Sequence, residues 1–342
     1  MTKCPDNRCG DRPLCWTGPH SAAEPQPHGR QDPRRLPIGC AIGEKCSFPR
    51  GRLLAVAAVL ISAAFCFIGS SAQALIVGPY SLDASTLHLW HLNETAVPAL
   101  DSAPDGTNLT ALGGSATLGN ASYAGFSTAL STATTLGDYL APRTLAADTS
   151  DNTLMTYDDP ATGAFTYEAM IRVDFNPATF NRGNVPLYLI CAENEAGDRP
   201  FQFRIHTNGV FGSGAFILQF FNLTGDGNTP FVAAIPTTGP DAIAQGKWFH
   251  VAVTFDGVAA GGHLVFYWTL MDPSRIQANL IASAAMANLI PLATTSGVDF
   301  SLGNVGRNTP NGGFAGVIDE VRLSRIARAP AGMMFNSTNV IT

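Results

Sequence analysis

The feature that most limits what this chain can fold into is a texture of short, interrupted runs that begins near residue 87. In these runs apolar and polar residues alternate, or apolar residues stand together. They cover residues 87–92, 165–175, 186–193, 200–208, 216–224, 230–236, 247–257, 263–271, 298–304 and 314–326. Branched and aromatic side chains are enriched in them, and turn clusters such as Thr224-Gly225-Asp226-Gly227-Asn228 separate them. Branched and ring side chains fit a pleated surface, and Gly, Asn, Asp and Pro supply the bends between strands. Few stretches after residue 75 hold the 3.6-residue period a helix needs. About ten strands spread over residues 75–342 fit one all-β domain of two sheets. Residues 276–290 read as strand and loop. Residues 102–164, rich in Ala, Gly, Ser and Thr, read as small-residue strands and long loops.

Alternation assigns faces within a run. In residues 247–257, Phe249, Val251, Val253 and Phe255 fall on one side, and Trp248, His250, Ala252, Thr254 and Asp256 on the other. Only one of these faces is uniformly apolar, so that face is expected to feed the core between the sheets. Asp256-Gly257 is expected to close the strand with a hairpin turn.

The chain has 342 residues and a net charge of -6, but the charge is divided unevenly. Residues 1–74 hold nine Lys or Arg and five Asp or Glu, and residues 75–342 hold eleven and twenty-one. An acidic body excludes a nucleic-acid partner, because neutralising phosphates takes clustered Lys and Arg. Residues Leu53 to Gly69 are seventeen uncharged, mostly apolar residues, with Arg50 and Arg52 before them and Ala72-Gln73-Ala74 after. Basic, apolar, then A-x-A is the order of an export signal, with cleavage expected after Ala74. Residues 1–52 are read as a disordered leader, residues 53–74 as the signal segment and its cleavage site, and residues 75–342 as the domain. The expected location is secreted, extracellular or in the cell envelope. A membrane partner follows only if the apolar segment is left uncleaved as an anchor. Five cysteines precede residue 50 without the short C-x-x-C spacing of zinc sites. Cys191 lies alone in the body, within an apolar run, and reads as a buried thiol.

Four segments resemble the motifs of one family. Leu89-Trp90-His91-Leu92-Asn93-Glu94 is similar to an opening LWxxDE strand. Residues 165–172 are similar to FTIEAWVR, and residues 247–257 to WHHVAVTYDG. Residues 316–327 resemble the closing GxIDEVRIxxxAL strand. In this order they resemble the laminin-G-like, concanavalin A-like lectin/glucanase jelly rolls. The resemblance implies a sandwich of two curved antiparallel sheets. Asn93 departs from the family's Asp and Met170 from its Trp, which weakens a metal site at the first position and removes a stacking ring at the second.

Site residues follow from these readings. The loop Leu100–Asn108 carries oxygen ligands at close spacing, as a calcium ion with six to eight oxygen ligands would need. Asp101, Asp105 and Asn108 are its candidate ligands. Asp319 joins them because the resemblance implies that first and last strands lie side by side. The ion, Ca2+, would be structural. Arg204 and His206, two apart, share a face and are the candidate polar pair for a ligand. Trp268 is a candidate sugar-stacking ring, since Tyr267 and Trp268 must point to opposite faces. Glu168 and His250 are mid-strand, and the resemblance implies a structural role for both. The E-x-D-x-x-E run of the family's glucanases is absent, and Glu193 and Glu195 fall in a segment that reads as solvated loop. The expected function is a secreted, non-catalytic recognition module for carbohydrate or a cell-surface or matrix protein. The alternatives are an envelope structural or adhesion protein, and a divergent polysaccharide-degrading enzyme.

Overall fold

The computed structural model describes residues 78–104, 106–113, 115–132, 145–147, 155–180, 186–193, 200–207, 215–222, 226–227, 229–290, 299–305 and 313–333. The leader and signal segments lie outside the described residues. Fifteen strands are found among the described residues. They are β1 (Thr86–Trp90), β2 (Ala111–Leu112), β3 (Thr117–Ala121), β4 (Thr128–Ser131), β5 (Leu145–Ala147), β6 (Phe165–Val173), β7 (Pro186–Glu193) and β8 (Phe201–Thr207). The rest are β9 (Phe216–Phe221), β10 (Phe231–Ala234), β11 (Trp248–Phe255), β12 (His263–Leu270), β13 (Leu280–Ala285), β14 (Asp299–Leu302) and β15 (Gly316–Ser324).

The strands form two antiparallel sheets of a jelly-roll sandwich. An eight-stranded sheet runs β13-β12-β11-β6-β15-β4-β3, with β1 also paired to β15, and a seven-stranded sheet runs β10-β9-β8-β7-β14-β5-β2. All ten expected runs contain a strand. Strand β15 serves two neighbours along one edge. Val317 and Ile318 pair with β4, while Val321 to Ser324 pair with β1. A register shift between Asp319 and Arg322 separates the two stretches, and Glu320 sits there at φ 47°. The extra residue of such a bulge re-aims the side chains on either side of it.

The core lies between the sheets. Phe249, Val251, Val253 and Phe255 of β11 enter it, together with Phe165, Tyr167, Ala169 and Ile171 of β6 and Phe201, Phe203 and Ile205 of β8. Trp248, Met170 and Ala252 belong to a second cluster on the opposite face of the eight-stranded sheet. The period-two division of residues 247–257 therefore holds. The β11–β12 connection is longer than a two-residue hairpin turn. It spans residues 256–262, includes a 3-10 turn at Val258–Ala260, and closes with His263 N donating to Asp256 Oδ1 at 2.6 Å. Gly257 sits there at φ 90°, where a Cβ would meet the Thr162 carbonyl oxygen at 2.4 Å, so both conformation and space demand glycine.

Candidate functional site

Three strands in the middle of the seven-stranded sheet build the site. Period two sends Phe201, Phe203 and Ile205 of β8 into the core, which leaves Gln202, Arg204 and His206 on the outer face. In β9, Phe216, Leu218 and Phe220 point inward, and Gln219 and Phe221 outward. Strand β7 carries a register shift between Tyr188 and Ile190. Leu189 and Ile190 both enter the core, so Tyr188 and Cys191, three apart, share the outer face in spite of the pleat. Cross-strand pairing then sets rows: Tyr188, Arg204 and Gln219 in one, Cys191, Gln202 and Phe221 in the next.

A continuous polar network joins these rows. Arg204 Nε donates to Gln219 Oε1 at 3.0 Å, and its Nη1 donates to Gln202 Oε1 at 2.6 Å and to the Tyr188 hydroxyl at 3.2 Å. Gln202 Nε2 donates onward to Glu193 Oε2 at 2.6 Å. The guanidinium carbon stands 4.2 Å from the Phe221 ring centre and 5.4 Å from that of Tyr188, within cation–π range. Glu193, Gln202, Gln219, Tyr188 and Phe221 are buried, whereas Arg204 is part-exposed. Burial pulls the Arg204 guanidinium below its ordinary value, and the adjacent Tyr188 hydroxyl opposes that. Arginine still stays charged, because its starting value is so high. The arrangement is a part-exposed cation resting on a buried bed of amides and aromatic rings.

The expected pair Arg204 and His206 share this face, as their spacing requires, and His206 is buried beside it. Glu193 is not in a solvated loop: it ends β7, fully buried, as the network's carboxylate. Glu195 lies outside the described residues. Trp268 is not a stacking platform. It is fully buried in the core, stacked on Phe249 at 4.5 Å, with its Nε1 donating to the Asp241 carbonyl at 3.0 Å. Its neighbour Tyr267 takes the opposite side, so the two divide as their adjacency requires, with Trp268 as the core member. Gln202, Gln219, Tyr188, Phe221 and Glu193 were missed as site residues. Once Arg204 was placed on the outer face, the alternating Gln202 was the available signal.

Among the described residues the calcium set is engaged by other partners. Asp101 Oδ1 accepts from the Leu89 and Ala103 backbone N–H groups at 2.9 and 3.0 Å. Its Oδ2 accepts from Thr107 N at 3.0 Å and stands 2.6 Å from His88 Nδ1. Four such partners occupy the carboxylate as a loop pin. Asn108 Oδ1 accepts from Asp101 N at 2.9 Å, and Asp105 lies outside the described residues. Asp319 has other partners: Oδ1 accepts from Glu320 N at 2.8 Å, and Oδ2 from the Ser122 hydroxyl. No group of three or more His, Cys, Asp or Glu placed to hold a metal occurs among the described residues. Oxygens engaged by N–H donors do not fit a cation with six to eight oxygen ligands.

The outer face of the eight-stranded sheet is sealed by a charged cluster. Glu168 Oε1 accepts from Arg322 Nε at 2.7 Å and lies 2.6 Å from Arg322 Nη2. Its Oε2 accepts from the Tyr80 hydroxyl at 2.8 Å and from His250 Nε2 at 3.0 Å. The Tyr80 ring lies 4.0 Å from the Arg322 guanidinium carbon, and Arg328 grips Asp83 with two contacts of 2.7 and 2.8 Å. The segment carrying Tyr80 and Asp83 is thereby tied down over the sheet. Burial alone would raise the Glu168 carboxyl, but Arg322, His250 and Arg328 outweigh it and hold it at about 2. Glu168 and His250 are both fully buried.

Among solved structures, the binding domain of Paraclostridial mosquitocidal protein 1 is 13% identical with a TM-score of 0.48, covering 74% of this chain and 52% of its own. This chain thus spans about half the length of that one. Domain 4 of AbnA, a GH43 extracellular arabinanase from Geobacillus stearothermophilus, in complex with arabinotriose, is 12% identical with a TM-score of 0.42, covering 75% and 99%. The Ruminococcus gnavus IT-sialidase CBM40 is 15% identical with a TM-score of 0.37, covering 56% and 91%. No curated protein matches the chain. The profile of the concanavalin A-like lectin/glucanases superfamily matches residues 147–332, more than half of the chain. That segment runs from the end of β5 past β15 and contains every strand that builds the Arg204 network. This chain belongs to the concanavalin A-like lectin/glucanase superfamily.

Proposed function

We propose that this protein is an exported, non-catalytic recognition module that binds carbohydrate on the outer face of β7, β8 and β9. The observation that carries the reading is the Arg204 network, in which donors, acceptors and aromatic rings are locked together before any ligand arrives. Prior locking lowers the ordering cost of binding. Export rests on the basic, apolar and A-x-A order of residues 50–74. The non-catalytic part rests on the sealed Glu168 and His250. Sandwich glycosidases need two carboxyl groups facing a sugar about 5–9 Å apart, and Glu168 faces Arg322, Tyr80 and His250 instead.

A saccharide array probed with the full chain tests this. Wild type is expected to bind, and Phe221→Ala and Gln219→Ala to bind at least about tenfold more weakly, since each removes about 1.4 kcal/mol or more of ordered contact. Both side chains are buried, so each variant should also melt below wild type, Phe221→Ala the more so, and binding is compared at a temperature well below both transitions. Release of reducing ends from any bound polysaccharide should stay at the blank level. Binding that neither variant weakens would move the site elsewhere, and sugar release abolished by Glu168→Gln would make the protein an enzyme.

A further inference from the structure

Away from the Arg204 face, a cavity of about 330 Å³ opens beside β1. Asp83, Thr86, His88, Thr156 and Arg325 border it with polar groups, and Leu87 and Pro104 give it an apolar wall. Its walls are tied down before any ligand arrives. On one side residues 83–86 form a tight turn, in which Ser85 N and the Thr86 hydroxyl donate to Asp83 Oδ1 at 2.9 and 3.0 Å. Arg325 N donates to the Ser85 carbonyl at 2.8 Å and so anchors that turn to the end of β15. On the other side Ala103 N donates to Asp101 Oδ1 at 3.0 Å, and Ser102 N to the Leu89 carbonyl at 2.8 Å.

His88 is the fixed point of the cavity. It is only 3% exposed, and its ring is held twice. It stacks on Trp90 with 5.2 Å between centres, and its Nδ1 stands 2.6 Å from Asp101 Oδ2. The carboxylate keeps a proton on Nδ1, so in the neutral ring Nε2 is an acceptor, and it is the nitrogen left for the cavity.

The lining decides the class of ligand. Asp83 and His88 supply acceptors, Arg325 supplies donors, and Arg328 pairs with Asp83 at 2.7 Å. A simple anion would face the Asp83 carboxylate and the Nε2 lone pair. A metal ion would face two guanidinium groups. A hydroxyl both donates and accepts, so neighbouring hydroxyls on one ring match acceptor and donor together. The volume is at the small end of ligand sites, about 300–1,000 Å³, which suits one sugar ring and not a chain.

We infer that this cavity is a second carbohydrate site, which takes the terminal residue of a neutral glycan, His88 Nε2 accepting from one ring hydroxyl and Arg325 donating to another. It lies beside the eight-stranded sheet, whereas the Arg204 face belongs to the seven-stranded one, so it goes beyond the proposed site and does not depend on it.

The test is nuclear magnetic resonance of the full chain with labelled histidine, titrated with the methyl glycosides of glucose, galactose, mannose and N-acetylglucosamine. At least one should shift the His88 ring signal and saturate. Arg325→Ala removes the donor and Thr156→Trp fills the cavity, and each should weaken that binding at least about tenfold. Both positions are exposed, so the two variants should melt with wild type. Phe221→Ala should leave the binding unchanged. No shift with any glycoside, a shift that survives Thr156→Trp, or a shift produced only by zinc or phosphate would overturn the inference. Glycans from the array that move only the Arg204 Nε–H signal would also overturn it and leave the proposed face intact, and glycans that move only His88 would do the reverse.

Discussion

Glu168→Ala is expected to unfold this protein at much lower denaturant concentration than wild type, by about 3–5 kcal/mol. That is the usual cost of removing one partner from a buried charge cluster. The loss leaves Arg322 buried without its carboxylate, and leaves the Tyr80 hydroxyl and His250 Nε2 without their acceptor. Glu168→Gln, which keeps the shape and one acceptor oxygen, should cost less. The same carboxyl sets an acid limit. It is held at about 2, below its ordinary 4.5, so its contribution is fully present above pH 4.5 and disappears as the pH falls toward 2. Urea denaturation followed by tryptophan fluorescence at pH 7 and pH 3 measures both effects. A Glu168→Ala protein as stable as wild type at pH 7 would show that the segment at Tyr80 is not held by this cluster.

Asp319→Asn should act in the opposite direction and stabilise the fold. Burial raises the Asp319 carboxyl, the Ser122 hydroxyl partly opposes this, and the neighbouring Glu320 charge raises it further, to about 8. Between the ordinary value of 3.8 and about 8 the folded chain keeps a proton that the unfolded chain has released. Wild-type stability therefore falls as the pH rises through that window and levels off above it. An amide keeps an oxygen for Glu320 N and a polar contact for Ser122 but carries no charge at any pH. The variant should gain on the order of 2–4 kcal/mol over wild type at pH 8, and almost nothing at pH 4. Denaturation midpoints at pH 4, 6 and 8 check this, and a less stable variant at pH 8 would contradict it.

Both predictions concern contacts between residues far apart in the chain, and this is where sequence reading stops. Local alternation was enough to place Phe249, Val251, Val253 and Phe255 in the core, because period two is a property of the segment itself. The strands between residues 111 and 147 were harder to locate: β2, β4 and β5 have two to four residues and small side chains, so they carry little periodic signal. Trp268 shows a different limit. Adjacent Tyr267 and Trp268 are both large and apolar, and alternation alone does not choose which one enters the core. The site was partly readable. Arg204 and His206 share a face by spacing alone, but the bulge in β7 that turns Tyr188 and Cys191 to one side leaves no local mark. The Asp101 loop shows why oxygen-rich spacing misleads. Whether its carboxylate faces a cation or backbone N–H groups depends on how Leu89 and Thr107 approach it in three dimensions.

A map of where a bound glycan touches the protein decides whether the outer face of β7, β8 and β9 is the binding site. Nuclear magnetic resonance of the labelled full chain, titrated with the strongest binder from the array, should shift the Arg204 Nε–H signal and the side-chain amides of Gln202 and Gln219. Shifts confined to the Asp101–Asn108 loop or to the outer face of the eight-stranded sheet, with Arg204 unmoved, would contradict it.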